Sequence, residues 1–252
     1  MLGQDSDKIP AATLVVFRQS IGDAAPQVLM VERASTMRFA AGAAVFPGGR
    51  VDAADVTLAE NLGDPSPQCI GRIAAIRETW EETGLALGFN RSLSAKEAAE
   101  GRHLLLQHKA LAPVLKALDL RLDLDTLPAF AHWRQPTVGG FDTLFFLANL
   151  GSGRVDLAVD ATENTNLFWA TPAQVLARAD AGDLRIIFPT RRNLERLAQF
   201  ASYAQAVENA ARHPIRPISG QPCEKNGEAW LMIPDGLGYP VLGERLATAR
   251  RG

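Results

Sequence analysis

The chain has 252 residues, 47% of them hydrophobic, and its 26 basic and 28 acidic residues leave a formal net charge of -2. That length buries a sizeable core in one elaborated domain or two small ones, and the near balance of charge excludes a global field for nucleic acid or an anionic membrane. Cys69 and Cys223 are too few and too far apart for a zinc ligand set or a disulfide framework and are expected to be buried, reduced thiols.

The polar start MLGQDSDKIP has no apolar signal core, and the most apolar stretch, LFFLANL at 144–150, is too short to span a bilayer, so a cytoplasmic location without a membrane partner is expected. AATLVVFR (11–18) and QVLMVER (27–33) read as paired strands across a turn-like SIGDAAP. FPGG breaks the chain sharply, and residues 51–67, small and polar with two prolines, read as a loop. Ile70, Ile73, Ile76 and Trp80 recur at helical spacing and predict a helix from about Cys69 to Thr83, stopped by Gly84.

Ser94 and Glu97 form a capping box for a second helical region that runs in pieces to about Leu118 and reads as an insert, about 94–120. FAHWRQ, FDTLFFLANL and NLFWA are strand-like, and Thr171, Pro172 and Gln174 then open a helix that ends at Gly182. A long amphipathic helix is expected from Thr190 to about Arg212, followed by a tail of 213–252 packed on or extending a domain of 10–212. The order of elements is not a regular alternation. It suits an α/β/α sandwich around a mixed sheet better than a doubly wound parallel sheet.

The unusual segment is RETWEETGL (77–85), which gathers Glu78, Glu81 and Glu82 on a helix whose Ile73, Ile76 and Trp80 point the other way. Like charges at this spacing weaken a helix. Either the edge is exposed and solvated, with Arg77 paired to Glu81, or a divalent cation sits on it, for which carboxylates and retained waters suit Mg2+ or Mn2+.

Upstream lies FPGGRVDAAD, and together these stretches resemble the Nudix hydrolase family, whose box reads G-x5-E-x7-R-E-U-x-E-E-x-G-U with U a bulky aliphatic residue. Gly49 matches the opening glycine, and Arg77, Glu78, Glu81, Glu82, Gly84 and Leu85 match the second half. Counting forward from Gly49 places the box glutamate on Asp55, counting backward from Arg77 places it on Cys69, and the difference is an insertion inside the box, taken as 56–68 with Asp55 as the equivalent. Thr79 replaces the first aliphatic residue. The resemblance implies a Nudix-like α/β fold with a helical insert and a tail. It also implies hydrolysis of a nucleoside diphosphate linked to another group, with metal on Glu78, Glu81 and Glu82, and with Arg77 orienting a carboxylate. Gly48 and Gly49 would pass close to the diphosphate, where a Cβ would crowd it.

RASTMRFAAGAAVFPGG resembles the signature of family members that split coenzyme A, with Leu29, Arg33, Ala34, Arg38, Gly42 and Phe46 to Gly49 in register; Met30 and Val31 depart from it. Arg33 and Arg38 are then candidates for phosphate contacts, with surface solubility as their ordinary alternative. The small-molecule partner implied is coenzyme A or acyl-coenzyme A, with ADP-ribose, a dinucleotide or a catalytically silent ligand-binding module as alternatives. A homodimer is left open. Glu163 is the candidate carboxylate outside the box that activates water. Phe145 is assigned to the core and Trp133 to either core or an adenine pocket, while His103, His108, His132 and His213 lack metal-ligand spacing. Arg191 and Arg192 are expected to be solvated.

Overall fold

The computed structural model describes residues 7–19, 25–34, 40–151 and 164–249. The chain opens with β1 (Ile9–Arg18), β2 (Gln27–Arg33), β3 (Ala44–Val45) and β4 (Gly48–Arg50), then α1 (Ala53–Asn61), α2 (Pro67–Thr83), α3 (Ala95–His108) and α4 (Leu111–Ala117). Strands β5 (Ala129–Arg134), β6 (Phe141–Asn149) and β7 (Asn164–Ala170) are followed by α5 (Pro172–Asp180), α6 (Phe188–Leu197) and α7 (Tyr203–Arg212). The tail adds β8 (Pro217–Ile218), β9 (Gln221–Lys225), β10 (Glu228–Met232), β11 (Gly243–Arg245) and α8 (Leu246–Ala249).

Among the described residues, eight strands form one mixed sheet in which β1 runs parallel to β6 and antiparallel to both β2 and β4. Since β6 occupies one edge of β1 along its length, β2 and β4 share the other, and Gly48 and Gly49 lie opposite Thr13 and Ala12. Alternation along the central strands feeds two cores. Val15, Phe17, Val28 and Met30 join the side covered by α5, α6 and α7, and Leu14, Val16 and Leu29 join the side covered by the first four helices. The result is an α/β sandwich with a helical layer on each face, as expected.

Helix α2 begins at Pro67, two residues earlier than the apolar spacing predicts, because Ser66 caps it and proline suits its first turn. Gly84 ends it at φ 78°.

Two expected elements differ. Residues 51–67 are not a loop throughout: Asp55 accepts the Asp52 N–H at 2.9 Å and opens α1, whose Leu58 and Ala59 pack into the core beside α2. The helix expected over 190–212 is two helices, because Ser202 accepts the Gln205 N–H and the Gln205 side chain accepts the Ala201 N–H, local bonds that start α7 afresh. The tail contributes Ile218, Ile233, Leu237 and Tyr239 to the core on the α6 side and folds its own three-stranded sheet. No helix among the described residues is long and apolar enough to cross a membrane.

Candidate active site

Arg77 organises the charged part of the site. Its Nε and Nη2 donate to the Asp55 carboxylate at 3.0 and 2.9 Å, Nη2 also donates to the Arg50 carbonyl, and Nη1 donates to Glu78 Oε1 at 2.8 Å. Asp55 is 1% exposed and Arg77 2%, so this is a buried, forked ion pair. The insertion is thereby accommodated: the chain leaves Asp55 through α1, turns, and returns along α2 to bring Arg77 back to it. Burial works against the Arg77 cation, but Asp55, Glu78 and Glu81 together outweigh that cost and hold it charged.

The carboxylate edge was expected to be exposed, yet Glu82 is 6% exposed, and the side chains of Glu78 and Glu81 are 18% and 13% exposed. The β4 segment and the insert cover it. Gly48 donates its N–H to Glu82 Oε2 at 3.0 Å, and Arg77 Nη1 stands 3.6 Å from Glu81. Burial pushes Glu78 up to about 7 despite Arg77, with Glu81 adding repulsion, and burial likewise raises Glu81. Glu81 Oε1 is buried without a hydrogen-bond partner.

Both glycines are dictated by the protein's own packing. A Cβ on Gly48, at φ 152°, would lie 2.3 Å from the Ala12 carbonyl oxygen, and one on Gly49 would lie 2.4 Å from the Glu78 carboxyl carbon. The crowding thus comes from strand β1 and from the carboxylate.

These groups open on a cavity of about 830 Å3. Arg33 lines it with a buried Nε that lacks a partner. Arg38 and Glu163 lie outside the described residues. Trp133, Phe145 and Phe188 line the same cavity. Trp133 is both core and wall: its Nε1 donates to Asn193 and to the Tyr239 hydroxyl.

Sequence reasoning missed Asp52, Lys109 and Leu231, which also line the cavity. Lys109 follows the capped α3 pattern and was discoverable there, whereas Leu231 comes from the tail with no local signal. Arg191 and Arg192 are not solvated: Arg191 pairs with Asp180 at 2.8 Å, and Arg192, 1% exposed, pairs with Glu195 at 2.8 Å. His132 bonds Asp142, a structural contact, and Cys69 is buried as expected whereas Cys223 is exposed.

No family profile matches the chain. The acyl-coenzyme A diphosphatase NUDT19 of Gallus gallus is 25% identical over 70% of this chain, which spans 62% of that protein's length. The protein of the same name from Xenopus laevis is 23% identical over 87% of the chain and 71% of its own length. The crystal structure of a Nudix hydrolase from Alicyclobacillus acidocaldarius aligns with a TM-score of 0.66 at 30% identity, over 80% of this chain and 96% of that one. With that likeness spanning nearly the whole of a solved relative, and with the glycines, Arg77 and the three glutamates gathered as the box requires, the chain belongs to the Nudix hydrolase family.

Proposed function

We propose that the chain hydrolyses the diphosphate of coenzyme A or of an acyl-coenzyme A, releasing 3′,5′-ADP and 4′-phosphopantetheine or its acyl form, and that it requires Mg2+ or Mn2+. One observation carries this reading: the Glu78, Glu81 and Glu82 edge, the Gly48 and Gly49 backbone and Arg33 all open on one cavity. The likeness to acyl-coenzyme A diphosphatases supports the choice of substrate.

The residues fit a hard divalent ion. Glu81 Oε1 is buried with nothing to bond, and Glu78 and Glu81 are both raised by burial, so a cation would relieve an unfavourable arrangement. Among the described residues no three or more His, Cys, Asp or Glu side chains are grouped so as to hold a metal ion by themselves. Glu78, Glu81 and Glu82 would instead hold the ion jointly with waters and substrate phosphate oxygens. When bound, it would supply neutralisation of phosphate charge and acidification of a water.

The chain's own residues do the rest. Arg77, anchored on Asp55, orients Glu78, and the Gly48 N–H fixes Glu82. Arg33, on the cavity wall, would meet substrate phosphate with its guanidinium, with Arg38 as its companion. Glu163 is the proposed acceptor of the water's proton. In the overall step a water oxygen bonds to one phosphorus, the bridging P–O bond breaks, and the bridging oxygen leaves on the other phosphate.

The test is a panel of coenzyme A, acyl-coenzyme A, 3′-dephospho-coenzyme A, ADP-ribose and a dinucleotide, with products identified by mass. A charge-assisted hydrogen bond is worth roughly 1.5 to 3 kcal/mol, so coenzyme A should be preferred over its dephospho form by about tenfold to a hundredfold in kcat/KM. Arg33→Ala or Arg38→Ala should erase most of that preference. Far better cleavage of ADP-ribose, or an unchanged preference in both variants, would overturn the substrate.

A further inference from the structure

The last four carbonyls of a helix lack intrahelical donors, and at the C-terminus of α2 several side chains and turn amides supply replacements. Gly84 N–H donates to the Trp80 carbonyl and Thr83 Oγ1 to that of Thr79. Leu85 N–H, the donor that a continuing helix would direct to Glu81, donates instead to Thr83 Oγ1. The Glu81 carbonyl is taken by Arg102 of the inserted helix, through Nε at 2.9 Å and Nη2 at 2.7 Å.

Two more contacts press the same helix against this turn. Trp80 Nε1 donates to the Ala98 carbonyl at 3.0 Å, and Gly101 leaves a notch for the Trp80 ring, since a Cβ there would lie 2.2 Å from it. At its end α3 places Lys109, in the left-handed region at φ 52°, on the wall of the cavity beside Glu81. The insert therefore grips residues 80 and 81 on the turn that also carries Glu78 and Glu82. It does so by hydrogen bonds to backbone oxygens, which fix where the Glu81 side chain starts.

We propose that Arg102 is a positioning residue for the reaction: by clamping the Glu81 carbonyl it holds the Glu81 carboxylate, with its unpartnered oxygen, where an ion can use it. This rests on reading the 78–82 edge as ion-binding. The insert is then part of the active site.

The test measures Mn2+ binding to the full chain, followed by loss of the free-ion electron paramagnetic resonance signal, alongside kcat, KM and thermal midpoint. Arg102→Ala should weaken Mn2+ binding about tenfold and lower kcat with little change in KM. Arg102→Lys, which keeps the charge and stem but offers one ammonium in place of the fork, should fall between. Lys96→Ala, exposed on the same helix, should leave every value unchanged.

A Glu81→Gln background decides whether the effect passes through Glu81, because adding Arg102→Ala should then weaken Mn2+ binding no further. If Arg102→Ala does not fold, the lysine variant and this cycle carry the test. A lower thermal midpoint with Mn2+ affinity and kcat intact would overturn the proposal and leave a purely structural brace. Wild-type protein that takes up no Mn2+ would sink the ion-binding reading itself, a result distinct from a variant that binds as well as wild type.

Discussion

Thr79 stands where the family pattern places a bulky aliphatic residue, and the structure shows the consequence of that departure. The side chain is 1% exposed and its hydroxyl has no hydrogen-bond partner. A buried hydroxyl left unpaired costs about 1 to 3 kcal/mol, and valine has nearly the same shape, so Thr79→Val should raise the unfolding free energy by about 1 kcal/mol in urea titration. Equal or lower stability would mean the hydroxyl finds a water. Asp55 is the opposite case. Its removal as a charge in Asp55→Asn takes the forked partner from the buried Arg77 guanidinium but leaves it Glu78, so the cost should fall below the roughly 3 to 5 kcal/mol of a buried pair broken outright from one side. The same variant frees Arg77 from the geometry that aims it at Glu78, so turnover should fall even where the protein remains folded. An asparagine protein as stable and active as wild type would remove Asp55 from the box.

At the scale of elements, the contact between α6 and the tail strand β11 carries the clearest pH dependence away from the carboxylate edge. Burial pushes Glu195 up to about 7 from 4.5, with Glu244 of β11 and Asp180 adding repulsion and Arg192 and Arg191 opposing it. A carboxyl with a raised folded pKa binds a proton more tightly folded than unfolded. Its stabilising contribution is therefore complete below about 4.5 and is lost as pH rises to about 7, at most about 3 kcal/mol. Glu195→Gln should flatten that decline between pH 5 and 8 in chemical denaturation, and a profile unchanged by the substitution would show that Glu195 is not the titrating group. Nothing in the local pattern of FPTRRNLERL announces this burial, since Glu244 lies 49 positions further on. By contrast, the carboxylate helix was legible because its helical spacing and its Gly84 stop are local, although Ser66 and Pro67, which start it, were read as loop. The break between α6 and α7 was also legible in principle, from Ser202 and Gln205. The grip of Arg102 on Glu81 was not, because it joins two helices through a side chain reaching a backbone oxygen, which no periodicity encodes.

Across the whole molecule, the cavity wall is held by two different long-range devices. The insert braces the carboxylates, whereas the tail braces the aromatic residues, where Tyr239 donates to Asn193 Oδ1 at 2.8 Å and accepts from Trp133 Nε1 at 3.1 Å. Arg196 stacks on Tyr239 and on Phe130, so the tail is tied to α6 and to β5 at once. Tyr239→Phe keeps the ring in its packing but removes the hydroxyl from a site almost closed to water. The loss should be about 1 to 2 kcal/mol, tempered because Trp133 retains Asn193. Trp133 then holds its place on the cavity wall less firmly, and a substrate that packs there loses binding common to the ground and transition states. KM should rise severalfold while kcat and Mn2+ affinity stay near wild type. Arg102→Ala is expected to do the reverse, and the two variants combined should show nearly additive effects, since their contacts share no residue. Steady-state kinetics paired with Mn2+ titration decides the matter: if Tyr239→Phe weakens the ion as much as it raises KM, the two devices are mechanically one, and the tail reaches the reaction centre through the sheet.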